Sequence, residues 1–448
     1  MSPMLAFPDA ALAHAVSAFE TTAAALESIA GDFSAQIAQG LAGAGGSLKM
    51  LRTFTSQPTG RESGRVVVVD WGGTKGRAGI VELGGAGAAR LVAEEVFTFS
   101  EEQKRGAVAP VFDVVAAAIG RVVDAQPTGA YPLGFVYSFP ARLEGINRAV
   151  ALALTKGWRV AGLEGQDVAA LLGDALRRRG LERVRVSAVA NDTVATLILQ
   201  SYRSRGAGGR PADIGLILGT GTNQAADLGP AGIRNLESGN FDGVTAVETP
   251  YDVALDREQR EPRPGAQRLE KMVSGHYLGE ILRRVVYDLS QRRAGLRGAA
   301  HSAFATPFAV ESEHLSRIAA DRSNGLDDVD ALLRELGATS TREERQGVRA
   351  LSGAIVGRSA RLVAATLLGT LRVLDPVLAD RRTIAVDGSL WGGYPGFASL
   401  VAGTLVELIG RERADRIEIV FVKDSTSTGA AVIAAVAAAQ GSARSSSG

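Results

Sequence analysis

Along the chain, short apolar runs that end in glycine-rich turns alternate with stretches of helical apolar spacing, the pattern of an α/β protein. Residues 8–39 are alanine-rich, with Leu12, Val16, Phe19, Leu26, Ile29 and Phe33 at helical spacing. This predicts a helix or helix pair packed on a larger body, followed by a flexible break over 40–46. A turn-rich segment over 56–64 precedes a buried strand over 66–70, a tight turn over 71–74 and a returning strand over 77–83. A third strand is predicted over 91–99, a helix over 108–123, and a fourth strand over 133–139 that Pro140 cuts. A loop carrying Thr155 and Lys156 then leads to a helix over 167–179.

Residues 184–190 alternate and then turn wholly apolar, as a strand entering a buried sheet does. They run into Asn191, Asp192 and Thr193, and 194–200 continues with helical spacing. A carboxylate at the C-terminal end of such a strand points into the crevice where open α/β sheets bind ligands. Asp192 is therefore the candidate general base. The same three residues also suit a helix cap, and this stretch alone leaves both readings open. The pattern then restarts, with a strand over 214–218, a Gly/Thr turn over 219–223 and a return over 224–228. Helices over 267–292 and 342–373, a strand over 383–386, a helix over 397–410, a strand over 417–422 and a last helix over 428–440 follow. One βββαβαβα plan is thus used twice, with insertions in the second copy. Two such halves facing each other present two Gly/Thr hairpins that can grip one polyphosphate from both sides.

Composition narrows the chemistry. A length of 448 residues suggests two or three domains, and a net charge of +1 gives no sign of a nucleic-acid surface or an acidic tail. The chain has no cysteine, which excludes disulfides, thiolate zinc sites and a cysteine nucleophile. The four histidines, His14, His276, His301 and His314, are scattered. No basic-then-apolar leader opens the chain, and the longest apolar run, 429–439, is too short to span a bilayer. A soluble cytoplasmic protein without membrane or nucleic-acid partners is expected. No G-x-x-x-x-G-K-[ST] loop and no helix-opening G-x-G-x-x-G occurs, so the chain is neither a P-loop nor a dinucleotide protein. In the first hairpin, Gly72 and Gly73 leave backbone N–H groups open to an anion, and Thr74 adds a hydroxyl donor. Asp70, at the strand end, can hold water around a metal ion. A glycine hairpin, a strand-end Ser138 or a loop Lys156 taken alone reads equally well as ordinary structure.

Taken together, these blocks resemble the hexokinase family of the actin-like ATPase superfamily along nearly the whole chain. The first phosphate hairpin resembles 70–74 with Arg77 following, and the sugar segment resembles 134–140 with 155–158. The base segment is 189–193 and the second phosphate hairpin 218–223. Residues 235–237, 267–272, 274–275 and 277–280 match further family blocks, and 386–389 with 427–431 resemble the adenosine-binding end. The resemblance implies duplicated actin-like ATPase (RNase H-like) α/β domains, with small and large lobes around a central cleft. Residues 1–205 would form the N-terminal half, with leading helices over 1–64 and the small lobe mainly over 65–190. Residues 206–440 would form the C-terminal half and large lobe, and 441–448 a flexible tail.

The implied reaction is ATP-dependent phosphorylation of a hexose, glucose first, at its 6-hydroxyl, by a monomer or homodimer. Asp192 would take the proton, and Lys156 would also lean on the transferring phosphoryl group. Ser138, Phe139, Thr155, Lys156, Asn191, Asn223, Glu237 and Glu270 would hold the sugar. Asp70, Gly72, Gly73, Thr74, Arg77, Gly219, Thr220, Gly221 and Thr222 would hold the phosphates, and Gly388, Ser389, Ser427, Thr428 and Gly429 the nucleoside. Mg²⁺ would bridge the β and γ phosphates, with no dedicated protein cage.

Three positions depart from the family pattern: Lys75 in place of Asn, Ser238 to Gly243 in place of a Trp-Gly-Ala-Phe-Gly run, and Thr428 in place of Lys. The first and third bear on the donor, the second on sugar selectivity. Replacing Gly429 by Val is expected to raise the ATP KM with little effect on glucose binding. A glucose sensor of the same fold with little turnover is the alternative reading. A sugar kinase with a cysteine-rich zinc motif is set aside by the absence of cysteine, and a filament-forming ATPase by the sugar blocks.

Overall fold

The computed structural model describes residues 10–72, 75–124, 126, 129–152, 158–292 and 296–445. In chain order the strands are β1 (Leu51–Arg52), β2 (Ser63–Trp71), β3 (Lys75–Gly85), β4 (Ala88–Thr98), β5 (Tyr131–Tyr137), β6 (Ala141–Gly145), β7 (Arg148–Ala151), β8 (Val184–Ala190), β9 (Ile214–Leu218), β10 (Thr222–Asp227), β11 (Ile233–Asn235), β12 (Arg382–Asp387) and β13 (Ile417–Phe421). Among the described residues they form a five-stranded sheet, β4-β3-β2-β5-β8, a six-stranded sheet, β1-β11-β10-β9-β12-β13, and the separate hairpin β6-β7. In both sheets a run of antiparallel strands passes into parallel ones, three strands in the first and four in the second, with β2 beside β5 and β9 beside β12. The twice-used plan read from the sequence is therefore present.

Each sheet is covered on both faces, and the buried stretches of β2, β5 and β9 are accordingly apolar on both sides. On the small lobe, Val67, Val69 and Trp71 face the helices Val108–Val123 and Val168–Arg178. The alternate residues Val66 and Val68 face a middle layer. On the large lobe, Ile214, Leu216 and Leu218 face a helical body built around the 33-residue helix Arg342–Leu374. That helix is long and apolar enough to cross a bilayer, yet 83% of its apolar window is buried inside the protein.

Two helices make up the middle layer, and they exchange lobes. The base helix, Asp192–Gly206, follows β8 of the five-stranded sheet but packs on β9, β10 and β12 of the six-stranded one. The closing helix, Ser425–Ser445, follows β13 of the six-stranded sheet but packs on β2, β5 and β8 of the other. Each is apolar nearly all round where they cross, as a helix buried on every side must be. Glycine allows the close approaches. A Cβ on Gly215 would lie 2.4 Å from the Thr193 carbonyl, and one on Gly134 would lie 2.4 Å from that of Ala430.

Sequence order and lobe membership differ at both ends of the chain. The predicted leading helices are Ala10–Ser17 and Ala23–Leu41, and they pack on the large lobe. Arg372 pairs with Glu27 at 2.7 Å, Ser34 donates to the Gly369 carbonyl at 2.7 Å, and Phe33 meets Phe241 edge-on. β1 extends the six-stranded sheet beside β11. The helix predicted over 267–292 is two helices, Arg268–Val273 and Gly275–Gln291. Ser274 between them is extended, at φ −87° and ψ 154°. This break turns the amides of Gly275 and His276 onto the carbonyls of Gly219 and Thr220, at 2.8 and 3.1 Å. A one-residue kink barely disturbs the apolar spacing, so periodicity ran straight through it. The hairpin β6-β7 was not anticipated, although Ala149 and Ala151 are buried and the turn after Gly145 marks it.

Candidate active site

The base segment lies where the sequence placed it, at the C-terminal end of β8. The cap falls on Asn191, which leaves Asp192, the candidate base, as the next residue along. Asn191 is the N-cap, its Oδ1 accepting from the Thr193 amide at 2.9 Å. Asp192 is the first helical residue, and its Oδ1 accepts from the same amide at 2.7 Å. One helix end thereby fixes the orientation of the carboxylate, which is only partly buried at the cleft.

Facing it from the large lobe is a hydrogen-bonded set on β10, β11 and the turn beyond. Asn223 donates to Asn235 Oδ1 at 2.8 Å, and Asn235 donates to Glu237 Oε1 at 2.8 Å. The Ser238 amide returns to Asn223 Oδ1 at 3.1 Å. Glu237 sits in the left-handed region, at φ 52° and ψ 49°, which swings the chain sharply at the end of β11. Burial pushes the Glu237 carboxyl above the usual carboxylate range, the Asn235 amide opposes this, and the charge of Asp192 pushes it further up. The proposed base and the proposed sugar ligand of the other lobe thus lie within electrostatic reach of each other.

Glu270, in the short helix Arg268–Val273, completes this side. Its Oε2 accepts from the Thr222 amide at 3.0 Å. A Cβ on Gly221 would sit 2.8 Å from that oxygen, so the glycine admits the carboxylate. Gln224 alternates with Asn223 on β10 and points the other way, where Thr366 and Thr370 pin its amide at 2.9 Å each. This buried polar clamp sets the register of the strand that carries Asn223.

The donor end is built from close backbone contacts. Thr220 is exposed at the hairpin tip, whereas Thr222 is buried and its hydroxyl donates to the Ile217 carbonyl at 3.1 Å. The hairpin tip packs on the turn at Gly388 and Ser389. Gly388 has φ +127°, and a Cβ there would lie 2.3 Å from the Leu218 carbonyl, so only glycine fits. In the first hairpin, Asp70 stands opposite Arg77 in the β2-β3 register, and Arg77 reaches Glu94 at 3.8 Å. Gly72 is described, while Gly73, Thr74, Thr155 and Lys156 lie outside the described residues. Ser138 follows β5, with its amide on the Trp71 carbonyl at 3.2 Å. Phe139 packs in an aromatic cluster with Trp71, Tyr137 and Trp158.

Gly429 requires a correction. It lies within the closing helix, buried against the base helix, and a Cβ would sit 2.1 Å from the Ala195 carbonyl. Its lack of a side chain is therefore already required by the helix crossing, before any contact with a nucleoside. Ser427 and Thr428, immediately before it, are partly exposed. Asn235, Thr196, Ser425 and Asp387 were not singled out from the sequence. Asn235 and Asp387 lie inside the family blocks, but nothing in the spacing sets them apart from their neighbours.

Two hexokinase family profiles match the chain, over residues 11–202 and 213–436. Hexokinase-1 of Schizosaccharomyces pombe is 33% identical over 430 residues, covering 91% of this chain and 86% of that protein. Hexokinase-1 of Oryza sativa subsp. japonica is 34% identical over 466 residues, covering 97% and 92% respectively. Among solved structures, a hexokinase crystal structure superposes with a TM-score of 0.84 at 28% identity, over 95% of this chain and 98% of that one. The hexokinase from Schistosoma mansoni complexed with glucose superposes with a TM-score of 0.80 at 26% identity, over the same shares, 95% and 98%. With family profiles on both halves and full-length relatives above 30% identity, the chain belongs to the hexokinase family.

Proposed function

We propose that the protein transfers the γ-phosphoryl group of ATP to the 6-hydroxyl of a hexose, with glucose as the first substrate to test. The observation that carries this reading is convergence: Asp192 on one lobe and the Asn223–Asn235–Glu237 set on the other meet beside a glycine hairpin that faces the Gly388 turn. Carboxylates and carboxamides suit a sugar because each can engage two neighbouring hydroxyls. Asn191, Asn223, Glu237 and Glu270, with Ser138, orient the ring so that one primary hydroxyl lies at the Asp192 carboxylate. Asp192 accepts that proton as the oxygen attacks. Lys156 and Thr155 are assigned to the phosphoryl group and the sugar through the family match alone.

The residues present fit Mg²⁺ bound through the polyphosphate. Among the described residues no three His, Asp or Glu side chains gather into a metal cage. Mg²⁺ keeps several waters and is typically bound by phosphates and one or two carboxylates, and Asp70, near the end of β2, would meet that water shell. When bound, the ion neutralises phosphate charge. Thr220, the hairpin amides and the turn at Gly388 and Ser389 align the donor.

Sugar ligands lie on both lobes, so a small ring is expected to draw the lobes together and exclude water from the acceptor site. Trp158 is 3% exposed, between Phe139 and Phe99, directly behind the sugar segment. Glucose added without ATP is expected to change tryptophan fluorescence and to shrink the radius of gyration in solution scattering. An unchanged radius at saturating glucose counts against closure. Turnover itself is tested by glucose-dependent ADP release.

A further inference from the structure

Where the base helix and the closing helix cross, a chain of polar atoms runs through an otherwise apolar layer. Thr196 Oγ1 lies 3.0 Å from the Asp192 main-chain carbonyl and 2.7 Å from Ser425 Oγ. Ser425 Oγ lies 2.6 Å from Asp387 Oδ2, which also accepts from the Ser425 amide at 2.7 Å. Asp387 Oδ1 accepts from the Gly388 amide at 2.7 Å. Both hydroxyl residues are fully buried, at 0% exposure. One end of the chain is therefore the main chain of the base residue, and the other is the turn that packs on the second phosphate hairpin.

The proton count makes this arrangement more than a set of satisfied groups. Three oxygen–oxygen links join Asp192, Thr196, Ser425 and Asp387, but the two hydroxyls carry only two protons between them. One link always lacks its proton. With Ser425 donating to the Asp387 carboxylate, Thr196 must choose between the Asp192 carbonyl and Ser425. With Thr196 donating to the Asp192 carbonyl, Ser425 must choose between Thr196 and Asp387. A hydroxyl turned toward one end is thus withdrawn from the other, and both hydroxyls are buried away from solvent. Anything that alters what Asp387 demands alters what the first turn of the base helix receives.

We propose that Thr196 and Ser425 are positioning residues that couple the donor end to the base, so that nucleotide and sugar each tighten the binding of the other through the helix crossing. The crossing suits the task because each helix starts in one lobe and packs on the other, and lobe rotation has to pass through it. Thermodynamic linkage makes the coupling reciprocal. The proposal rests on the hexose kinase reading.

The test measures the glucose dissociation constant with and without saturating ADP and Mg²⁺, for wild type, Thr196→Val, Ser425→Ala, the double variant and Thr196→Ser. Wild type is expected to bind glucose roughly 5-fold or more tightly with the nucleotide present. Thr196→Val and Ser425→Ala should bind glucose alone within about 2-fold of wild type, with the nucleotide effect reduced toward unity and a lowered kcat at little-changed glucose KM. The double variant should lose no more coupling than either single one, because the links form one chain. Thr196→Ser keeps the hydroxyl and should keep the coupling. Coupling that is absent from wild type, that survives in both single variants, or that is lost in Thr196→Ser as fully as in Thr196→Val overturns the proposal. Failure of the kinase reading shows separately, as wild-type protein that neither binds glucose nor releases ADP in its presence.

Discussion

Asp192→Ala is expected to lower kcat by roughly 10²–10⁴-fold or more, the usual contribution of a positioned general base. Glucose affinity should fall much less, because Asn223, Glu237 and Glu270 belong to the other lobe and are held by bonds that do not involve Asp192. Folding should survive, because Asn191 Oδ1 also accepts from the Thr193 amide, at 2.9 Å, and keeps that donor satisfied once the Asp192 carboxylate is removed. That separation of roles makes the experiment informative. Steady-state kinetics with a glucose titration distinguish the two effects, and circular dichroism checks the helix. A variant that keeps half of wild-type turnover would reduce Asp192 to part of a helix end and remove the mechanism's base.

Gly429→Val is expected to damage catalysis and stability together. The added Cβ would lie 2.1 Å from the Ala195 carbonyl oxygen and 2.8 Å from Ala195 Cα, and all the atoms it meets there are backbone. The two helices must separate or shift, and overpacking of this kind costs about 1–3 kcal/mol or more. Ala195 is one turn from Asp192, so the displacement reaches the base, where misplacement by about 1 Å can cost 10²-fold in rate. The expected result is a lower melting temperature and a kcat reduced by up to about 10²-fold, beyond any rise in the ATP KM. A rise in the ATP KM alone, with normal kcat and stability, would return Gly429 to the nucleoside-contact role read from the sequence.

The contrast between these two residues shows what was legible in the chain. Asp192 could be found because a wholly apolar strand that passes into a helix marks the sheet edge where ligands bind, whatever the rest of the chain does. Gly429 could be located but not interpreted, because its constraint comes from Ala195, more than two hundred residues earlier. The duplicated strand plan and the two glycine hairpins were readable for the same local reason as Asp192. The exchange of the two middle helices between lobes was not, because helical spacing reports that a face is buried and not which sheet buries it. Glu237 and Glu270 came only from family resemblance. One occupies a left-handed turn and the other a six-residue helix, and neither carries a periodic signal. Thr196 reads in the sequence as one more interior position of an apolar helix, and only its 2.7 Å approach to Ser425 shows otherwise.

Two of the departures from the family pattern read in the sequence bear on the donor: Lys75 beside the first hairpin and Thr428 in the closing helix. Lys75 would add positive charge next to a polyphosphate, whereas a nucleoside would lie against the turn at Gly388 and Ser389. A solvated lysine at position 428 would contribute ~1 kcal/mol, so its absence should raise the ATP KM without abolishing ATP use. The most direct test is therefore phosphoryl transfer by the purified wild-type protein, with glucose as acceptor and ATP with Mg²⁺ or polyphosphate as donor. Glucose-dependent release of ADP, with hexose 6-phosphate as product and a higher kcat/KM for ATP than for polyphosphate, is the predicted result. Tight glucose binding without ADP release, or a higher kcat/KM for polyphosphate than for ATP, would contradict it.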